Sequence, residues 1–180
     1  MLQLTEQDLT RNFNTNLLSH FHTIQTFLPG MLKNEAGGTI VTLSSVLGHL
    51  GASRLSDYSA SKAGLIALHH SLEAELRHSA QEGARYIKTV LVTPGQIATP
   101  MFRGMQTPNK FLGPVVEPVE LAKMIVKMID SGESGVLALP LYARWVQWLN
   151  VIPAGVQRVL RWASGVDIAM AKGFGKGEKA

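Results

Sequence analysis

The sequence predicts an α/β fold, a doubly wound parallel sheet with helices packed on its faces. Short runs rich in β-branched residues alternate along the chain with longer segments of helical period. Each helical segment is long enough to lead from one strand to the next, and such connections give parallel strands with right-handed crossovers. The composition, 46% hydrophobic and 17% charged, is ordinary for a folded domain of this class.

The first predicted element is a long helix. Residues 5–8 (Thr-Glu-Gln-Asp) have the form of a capping box, and apolar residues keep a helical period from Leu9 to Leu28. Asn12, Asn14 and Asn16 lie near the start of this segment, and asparagine competes with the helical backbone for hydrogen bonds. We therefore expect a break or kink there.

The other elements follow in the order strand, helix, strand, loop, helix, strand. Their predicted bounds are strand 39–43, loop 44–56, helix 57–81, strand 86–92, a lid-like loop 96–116, helix 117–130 and strand 136–139. Beyond Leu141 the chain changes character, because Trp145, Trp148 and Trp162, all of its tryptophans, lie there among aliphatic residues and arginines. We expect a main domain over 1–140 and, over 141–180, a helical apolar extension with a basic flexible tail.

Composition and charge exclude several classes of protein. The net charge is +4, but no cluster of Lys and Arg reaches the density of a nucleic-acid-binding face, so we expect no nucleic-acid partner. The chain has no Cys, and none of its six His residues forms an H-x-x-x-H pair, so we expect no metal site. We also find no signal peptide and no uninterrupted apolar window of about 18 residues, and we expect an intracellular protein.

Tyr58 and Lys62 form the first candidate for chemistry. They lie four residues apart at the start of a predicted helix, so their side chains share one face. A cation beside a phenol, together with the helix N-terminus, favours the phenolate and lowers a pKa that is about 10 when unperturbed. Tyr58 could then act as a general acid or base near neutral pH. A Y-x-x-x-K pair alone is also common on solvated helices.

The residues around this pair resemble the short-chain dehydrogenase/reductase family. Tyr58 opens a Y-S-A-S-K run, and Ser45 lies upstream at the end of a predicted strand. Residues 94–99 have the P-G-x-x-x-T form found after the next strand, and Asn16 matches the family's helix asparagine. The resemblance implies a Rossmann-like fold and an NAD(P)-dependent oxidoreductase that acts on CH–OH or C=O groups.

The resemblance also implies a role for each matching residue. Tyr58 would exchange a proton with the substrate oxygen, and Lys62 would lower the Tyr58 pKa and hold the nicotinamide ribose. Ser45 would orient the substrate oxygen, and Asn16 would anchor a water that relays protons from Lys62. The cofactor would be NADP or NAD, with its nicotinamide end lined by Pro94, Gly95, Ile97 and Thr99. Asn12 and Asn14 are alternatives for the asparagine role, and Ser44 is expected to be structural.

The matching region, residues 4 to 140, resembles only the second half of the family's fold. That fold begins with a strand, a G-x-x-x-G-x-G turn and a helix that hold the cofactor's pyrophosphate, and we find no such segment in this sequence. We expect a truncated form without the N-terminal nucleotide-binding half, with an unpaired sheet edge and weak or absent cofactor binding. The alternative is a catalytically inactive interaction or dimerisation protein derived from this family. An in-frame G-x-x-x-G-x-G exon upstream of Met1 would favour the first.

Two parts of the chain suggest partners, the segment after residue 140 and the long helices before it. Residues 141–166 have a looser likeness to membrane-associated retinol and 17-beta-hydroxysteroid dehydrogenase-like members, which implies a lipophilic alcohol or ketone as substrate. This segment is either a helical pair closing the substrate pocket or a contact with a membrane surface such as that of the ER. The resemblance further implies a homodimer through helices 9–32 and 57–81. Apolar residues of the lid-like loop would suit the same substrate: Met101, Phe102, Met105 and Phe111.

Overall fold

The computed structural model describes residues 2–99 and 114–164, and within them it contains one parallel sheet. Its strands are β1 (Gly38–Leu43), β2 (Ile87–Pro94) and β3 (Gly135–Leu139), in the order β1-β2-β3. The predicted parallel α/β architecture is confirmed. In the part of the chain that is described, β1 pairs with β2 alone.

Helices connect and flank these strands. They are α1 (Glu6–Phe13), α2 (Ser19–Met31), α3 (Ser56–Arg77), α4 (Pro118–Ser131), α5 (Ala143–Val146) and α6 (Ala154–Ser164). Helix α4 ends where Gly132 adopts a left-handed φ of 65°, a conformation that glycine takes without strain. In the extension, α5 and α6 lie on either side of Pro153.

The predicted break in the first helix is a π-helical turn over Asn14–Leu18, which separates α1 from α2. Upstream, the capping box is present, because the Thr5 hydroxyl accepts from the Asp8 amide and the Thr5 amide donates to the Asp8 carboxylate, both at 3.1 Å. An extra residue in one turn rotates the following side chains around the helix axis. Asn16, inside this turn, is brought to face α3.

The predicted helix 57–81 corresponds to α3, and its predicted end is wrong because α3 ends at Arg77. The Ser79 hydroxyl accepts a hydrogen bond from the Gln81 amide at 3.1 Å and so turns the chain away. A 3-10 turn over Glu82–Tyr86 follows. There Gly83 lies so close to the Leu32 carbonyl that a side chain would overlap it. This close approach of Gly83 to the Leu32 backbone has no signature in the period of the sequence.

The core has one layer of helix on each side of β2. Val90 and Val92 of β2 pack with Leu121 of α4 and Leu137 of β3 in one buried cluster. On the other side α3 packs against β1 and β2, with Leu65 fully buried. The middle strand is buried along nearly its whole length, as expected for a parallel sheet covered on both faces.

Two predicted segments fall partly outside the described residues. Residues 100–113 of the lid-like loop, with all four of its named apolar side chains, are one, and residues 165–180 of the extension are the other. The flanks of the loop meet where Ile97 and Val116 form a parallel bridge. None of the helices within the described ranges has the length and apolar composition needed to cross a bilayer.

Candidate active site

The site begins where β1 ends. The Ser44 amide donates to the Val92 carbonyl of β2 and the Ser44 hydroxyl donates to the Lys62 carbonyl of α3, both at 2.8 Å. Ser44 therefore ties the strand end to the helix, in line with its expected structural role. Ser45 comes next and starts a short 3-10 turn, in which its hydroxyl accepts from the Leu47 amide at 3.2 Å.

Helix α3 brings Tyr58 and Lys62 to this strand end. Tyr58 lies in the first turn of α3, and the Lys62 ammonium one turn later is 5.7 Å from the centre of the Tyr58 ring. The ammonium donates a hydrogen bond to the carbonyl oxygen of Leu43, the last residue of β1, at 3.0 Å. Ser45, Tyr58 and Lys62 are thus brought together at the carboxyl end of the sheet, where ligands of α/β proteins bind.

The expected lowering of the Tyr58 pKa is not what the structure shows. Burial raises the pKa of the Tyr58 hydroxyl, and the neighbouring Ser45 hydroxyl only partly offsets this. Burial therefore outweighs any effect of the Lys62 ammonium, which donates to the Leu43 carbonyl oxygen. In this state Tyr58 is a protonated phenol at neutral pH, a proton donor.

The Lys62 ammonium is itself perturbed. Burial lowers its pKa, because removing a cation from water disfavours the charged form. Its charge also reaches α2, where burial and then Lys62 lower the pKa of His20. An ammonium group has three N–H donors, so a half-buried lysine that donates to one backbone carbonyl retains donors for a ligand.

Asn16 joins the site through α3 rather than through Lys62 directly. Its side-chain amide donates at 3.2 Å both to the Ser61 hydroxyl and to the Asn12 side-chain oxygen. Ser61 in turn donates to the Tyr58 carbonyl at 2.8 Å, inside the first turns of α3. Asn16 therefore lies beside the helix that carries Tyr58. That it anchors a water stays a prediction.

Asn12, the alternative to Asn16 for the asparagine role, lies beside the same helix. Its amide donates to the Asp57 carboxylate at 3.0 Å, next to Tyr58 on α3. Asn12 thus holds the Asn16 amide, while Asn14 is exposed. The spacing of four residues between Asn12 and Asn16 was the available signal, because it places both on one helix face.

The P-G-x-x-x-T element lies at the end of β2. Gly95 donates its amide to the Leu139 carbonyl at 2.6 Å, which joins the ends of β2 and β3. Ile97 forms the bridge to Val116, and the Thr99 amide donates to the Ile97 carbonyl at 2.8 Å. The backbone of this element is therefore ordered at the same edge of the sheet as Ser45.

Tyr142 lies over this element and was not expected there. Its hydroxyl occupies the space that a side chain at Gly95 would need. Tyr142 also packs, with Tyr58, against an apolar cluster at the carboxyl end of the sheet. The buried members of this cluster come from the loop after β1, from β3 and from α5: Val46, Leu47, Ala52, Leu55, Ala138, Ala143 and Val146.

Comparisons with known proteins identify the family of this chain. Residues 1–110 match the family model described as short chain dehydrogenase. The chain is 35% identical over 167 residues to the uncharacterized oxidoreductase TDA5 of Saccharomyces cerevisiae, which covers 93% of this chain and 50% of that protein. It is 37% identical over 120 residues to retinol dehydrogenase 10 of Homo sapiens, covering 67% and 34%. With 17-beta-hydroxysteroid dehydrogenase 13 of Rattus norvegicus the identity is 34% over 142 residues, covering 79% and 45%.

A solved structure has a similar fold. A short chain dehydrogenase from Burkholderia cenocepacia in complex with NADP has a TM-score of 0.67 at 20% sequence identity, covering 88% of this chain and 61% of that chain. This likeness confirms the predicted Rossmann-like fold. The chain spans about half the length of the curated relatives it matches. Since the family model covers more than half of the chain, the protein belongs to the short-chain dehydrogenase/reductase family.

Proposed function

We propose that the protein is an NAD(P)-dependent oxidoreductase that acts on the CH–OH or C=O group of a lipophilic alcohol or ketone, with Tyr58 as general acid/base. The observation that carries this proposal is the convergence of Ser45, Tyr58 and Lys62 where β1 ends, with Asn16 bonded to the same helix through Ser61. Membership of the family supports an oxidoreductase as the coarse class.

The residues present fit the nicotinamide end of such a cofactor. Lys62 has three ammonium N–H donors, and the Leu43 carbonyl takes one, so donors remain for ribose hydroxyls. Pro94, Gly95, Ile97 and Thr99 would line the nicotinamide, and the related structure that contains NADP supports this class of cofactor. When bound, the nicotinamide would supply or accept the hydride.

The proton is the part of the reaction that this chain's own residues handle. Tyr58, with its raised pKa, is a phenol at neutral pH and would give its proton to a carbonyl oxygen during reduction. The Ser45 hydroxyl would hold that oxygen against Tyr58. Lys62 would stabilise the phenolate left behind. Asn16, held by Ser61 and Asn12, would anchor the water through which the proton is replaced.

The apolar cluster around Tyr58 supports a lipophilic substrate. Leu50, Tyr142 and Leu149 are partly buried against the same cluster, so the surroundings of Tyr58 are hydrocarbon and aromatic surface. Burial of apolar ligand surface against such a wall contributes roughly 25 cal/mol per Å². Two of the relatives are named as retinol and 17-beta-hydroxysteroid dehydrogenases, which is the same chemical class.

The extension over 141–166 is proposed to contact a membrane surface. Trp145, Trp148 and Trp162 expose 67%, 56% and 79% of their surface. Exposed indole rings beside the arginines at 144 and 158 suit the interface of an anionic bilayer, and the ER membrane is the proposed location. Replacing the three tryptophans by serine should abolish co-sedimentation with phosphatidylserine-containing vesicles. Undiminished co-sedimentation would contradict the proposal.

A homodimer through helices 9–32 and 57–81 is proposed as well. Between α2 and α3 lies a groove of about 890 Å³, lined by Leu17, Phe21, Ile24, Leu28, Leu68 and Leu72 among others. Phe21 and Phe27 are exposed on α2, so apolar surface is available to a second copy. Phe21→Asp should shift the mass measured by light scattering from dimer to monomer, whereas a monomeric unmodified chain would overturn the proposal.

The experiment that tests the catalytic proposal follows deuterium rather than rate. The chain at high concentration is incubated with millimolar NADPH carrying deuterium at the transferred position and a lipophilic ketone, and the alcohol is analysed by mass spectrometry. We expect deuterated alcohol from the unmodified chain and from Tyr86→Phe, and a loss of at least about 100-fold in Tyr58→Phe, the scale of general acid catalysis. Equal transfer by Tyr58→Phe would refute the role of Tyr58. No transfer by the unmodified chain would favour the non-catalytic interaction protein.

A further inference from the structure

Tyr142 is a second phenol at the carboxyl end of the sheet, and the proposed mechanism leaves it unused. It follows β3 by three residues, beyond a cis peptide bond between Leu139 and Pro140. Because the Gly95 amide binds the Leu139 carbonyl at 2.6 Å, the ends of β2 and β3 are held together. Tyr142 therefore stands directly above the Pro94–Gly95 element.

The Tyr142 ring is packed against other side chains, whereas its hydroxyl is accessible to solvent. The ring packs against the same apolar cluster as Tyr58, and burial raises the pKa of the Tyr142 hydroxyl, which keeps it protonated. Within residues 2–99 and 114–164 that hydroxyl has no hydrogen-bond partner, yet it is not sealed from solvent. A protonated phenol in this condition has a donor to offer to a ligand.

This position of Tyr142 requires a residue without a side chain at Gly95. Any side chain there would overlap the Tyr142 hydroxyl, and it would also lie 3.0 Å from the Pro140 ring. The absence of a side chain at Gly95 thus allows the phenol to approach the backbone of the element proposed to line the nicotinamide.

We propose that Tyr142 contacts the ligand and helps to determine specificity, donating its phenolic hydrogen to an oxygen acceptor held against Pro94 and Gly95. This inference rests on the proposed function, because it takes its ligand from that site. Two oxygens have the required chemistry, the carboxamide oxygen of a nicotinamide and the carbonyl oxygen of a ketone substrate. Tyr142 makes its contact from the side of Gly95, at the end of β2, so it orients the ligand without taking part in the proton transfer.

The test uses fluorine labels on the three tyrosines of the chain, Tyr58, Tyr86 and Tyr142. The full chain is produced with 3-fluorotyrosine, and each fluorine signal is assigned from the corresponding Tyr→Phe variant. Reduced nicotinamide mononucleotide is titrated to millimolar concentration in one arm, and 4-phenyl-2-butanone in the other. Tyr86 serves as the internal control, because its hydroxyl is bonded to Arg85 on the outside of the molecule.

We expect the Tyr58 and Tyr142 signals to shift and the Tyr86 signal to stay still, and the arm that moves Tyr142 identifies the acceptor. Tyr142→Phe should weaken binding of that probe by about two- to tenfold, the range of one neutral hydrogen bond, while Tyr86→Phe leaves it unchanged. A shift of Tyr58 with none at Tyr142 in either arm, or unchanged affinity in Tyr142→Phe, overturns the inference alone. If neither tyrosine responds to either probe, both the inference and the proposed function fail.

Discussion

The Lys62 ammonium donates to the Leu43 carbonyl oxygen at 3.0 Å, while it lies 5.7 Å from the centre of the Tyr58 ring. This bond holds the ammonium between the end of β1 and the phenol, with burial lowering the pKa of the lysine. Burial of a cation costs stability, and such a cost is common at functional sites.

Lys62→Met is therefore expected to stabilise the fold while removing function. Methionine fills a similar volume and needs no desolvation of a charge, so the loss of the Leu43 hydrogen bond is more than offset. We expect the melting temperature to rise by about 1–3 °C in calorimetry, on the scale of a fraction of 1 kcal/mol for a domain of this size. Lys127→Met, on the exposed face of α4, is the control and should change little. A clear fall in melting temperature for Lys62→Met would contradict this reading.

The buried His69 side chain should make the free energy of unfolding depend on pH. It is 2% exposed, its Nδ1 lies 3.0 Å from the Thr42 hydroxyl of β1, and burial and then His70 lower its pKa below 6.5, with Glu73 opposing. Because the folded state disfavours the charged form, this contribution to stability is present above about pH 6.5 and declines as the pH falls toward the lower folded-state pKa. Urea unfolding should show a smaller loss between pH 7.5 and about 5.5 in His69→Leu than in the unmodified chain. An unchanged pH dependence in His69→Leu, with His78→Leu as the exposed control, would refute it.

The side chain of Asn12 bonds both to Asp57 on α3 and to Asn16. Asn12→Ala removes the bond to Asp57 and the acceptor of the Asn16 amide at once. We expect the free energy of unfolding to fall by about 1–2 kcal/mol, two net hydrogen bonds, and the Asn16 side-chain amide signals to move in NMR spectra. Asn14→Ala, exposed in the same region, is the matched control and should stay within about 0.5 kcal/mol. Equal effects of the two substitutions would show that the contact has no special role.

The absence of a side chain at Gly48 allows the loop that carries Ser45 to pack closely against α3. A Cβ at Gly48 would lie 2.8 Å from the Lys62 carbonyl oxygen and 2.7 Å from the Ile66 side chain. Gly48→Ala should cost about 1–3 kcal/mol by overpacking, measured by urea unfolding. A side chain at Gly51 meets nothing within 4 Å, so Gly51→Ala should be nearly neutral. If Gly48→Ala is as stable as Gly51→Ala, the loop does not rest on α3 as described.

Much of the fold could be predicted from sequence because its signals are local. The capping box at Thr5, the β-branched run of β1 and the alternation of strand and helix each depend on residues adjacent in the chain. The end of α3 at Arg77 was missed because the turn after it, in which the Gln81 amide donates to the Ser79 hydroxyl, has no signature in the apolar period.

Some features of the candidate site could be predicted from sequence and others could not. Tyr58 and Lys62 share a helix face by spacing, and Ser45 follows from the strand end, so motif and topology bring them together. The direction of the Tyr58 pKa could not be predicted, since it depends on how deeply the apolar cluster buries the phenol. Tyr142 was missed because it reaches Gly95 only through the pairing of β2 with β3.

The most direct test of the central claim is the affinity of this chain for the reduced cofactor, measured by titration of nicotinamide fluorescence. The 180 residues contain no G-x-x-x-G-x-G turn to hold the pyrophosphate, so we predict weak binding, with Kd on the order of 0.1–1 mM. Lys62→Met should weaken it at least about tenfold, the scale of a hydrogen bond from a charged donor, and Lys127→Met should not. Micromolar affinity, or binding that Lys62→Met leaves unchanged, would contradict the account.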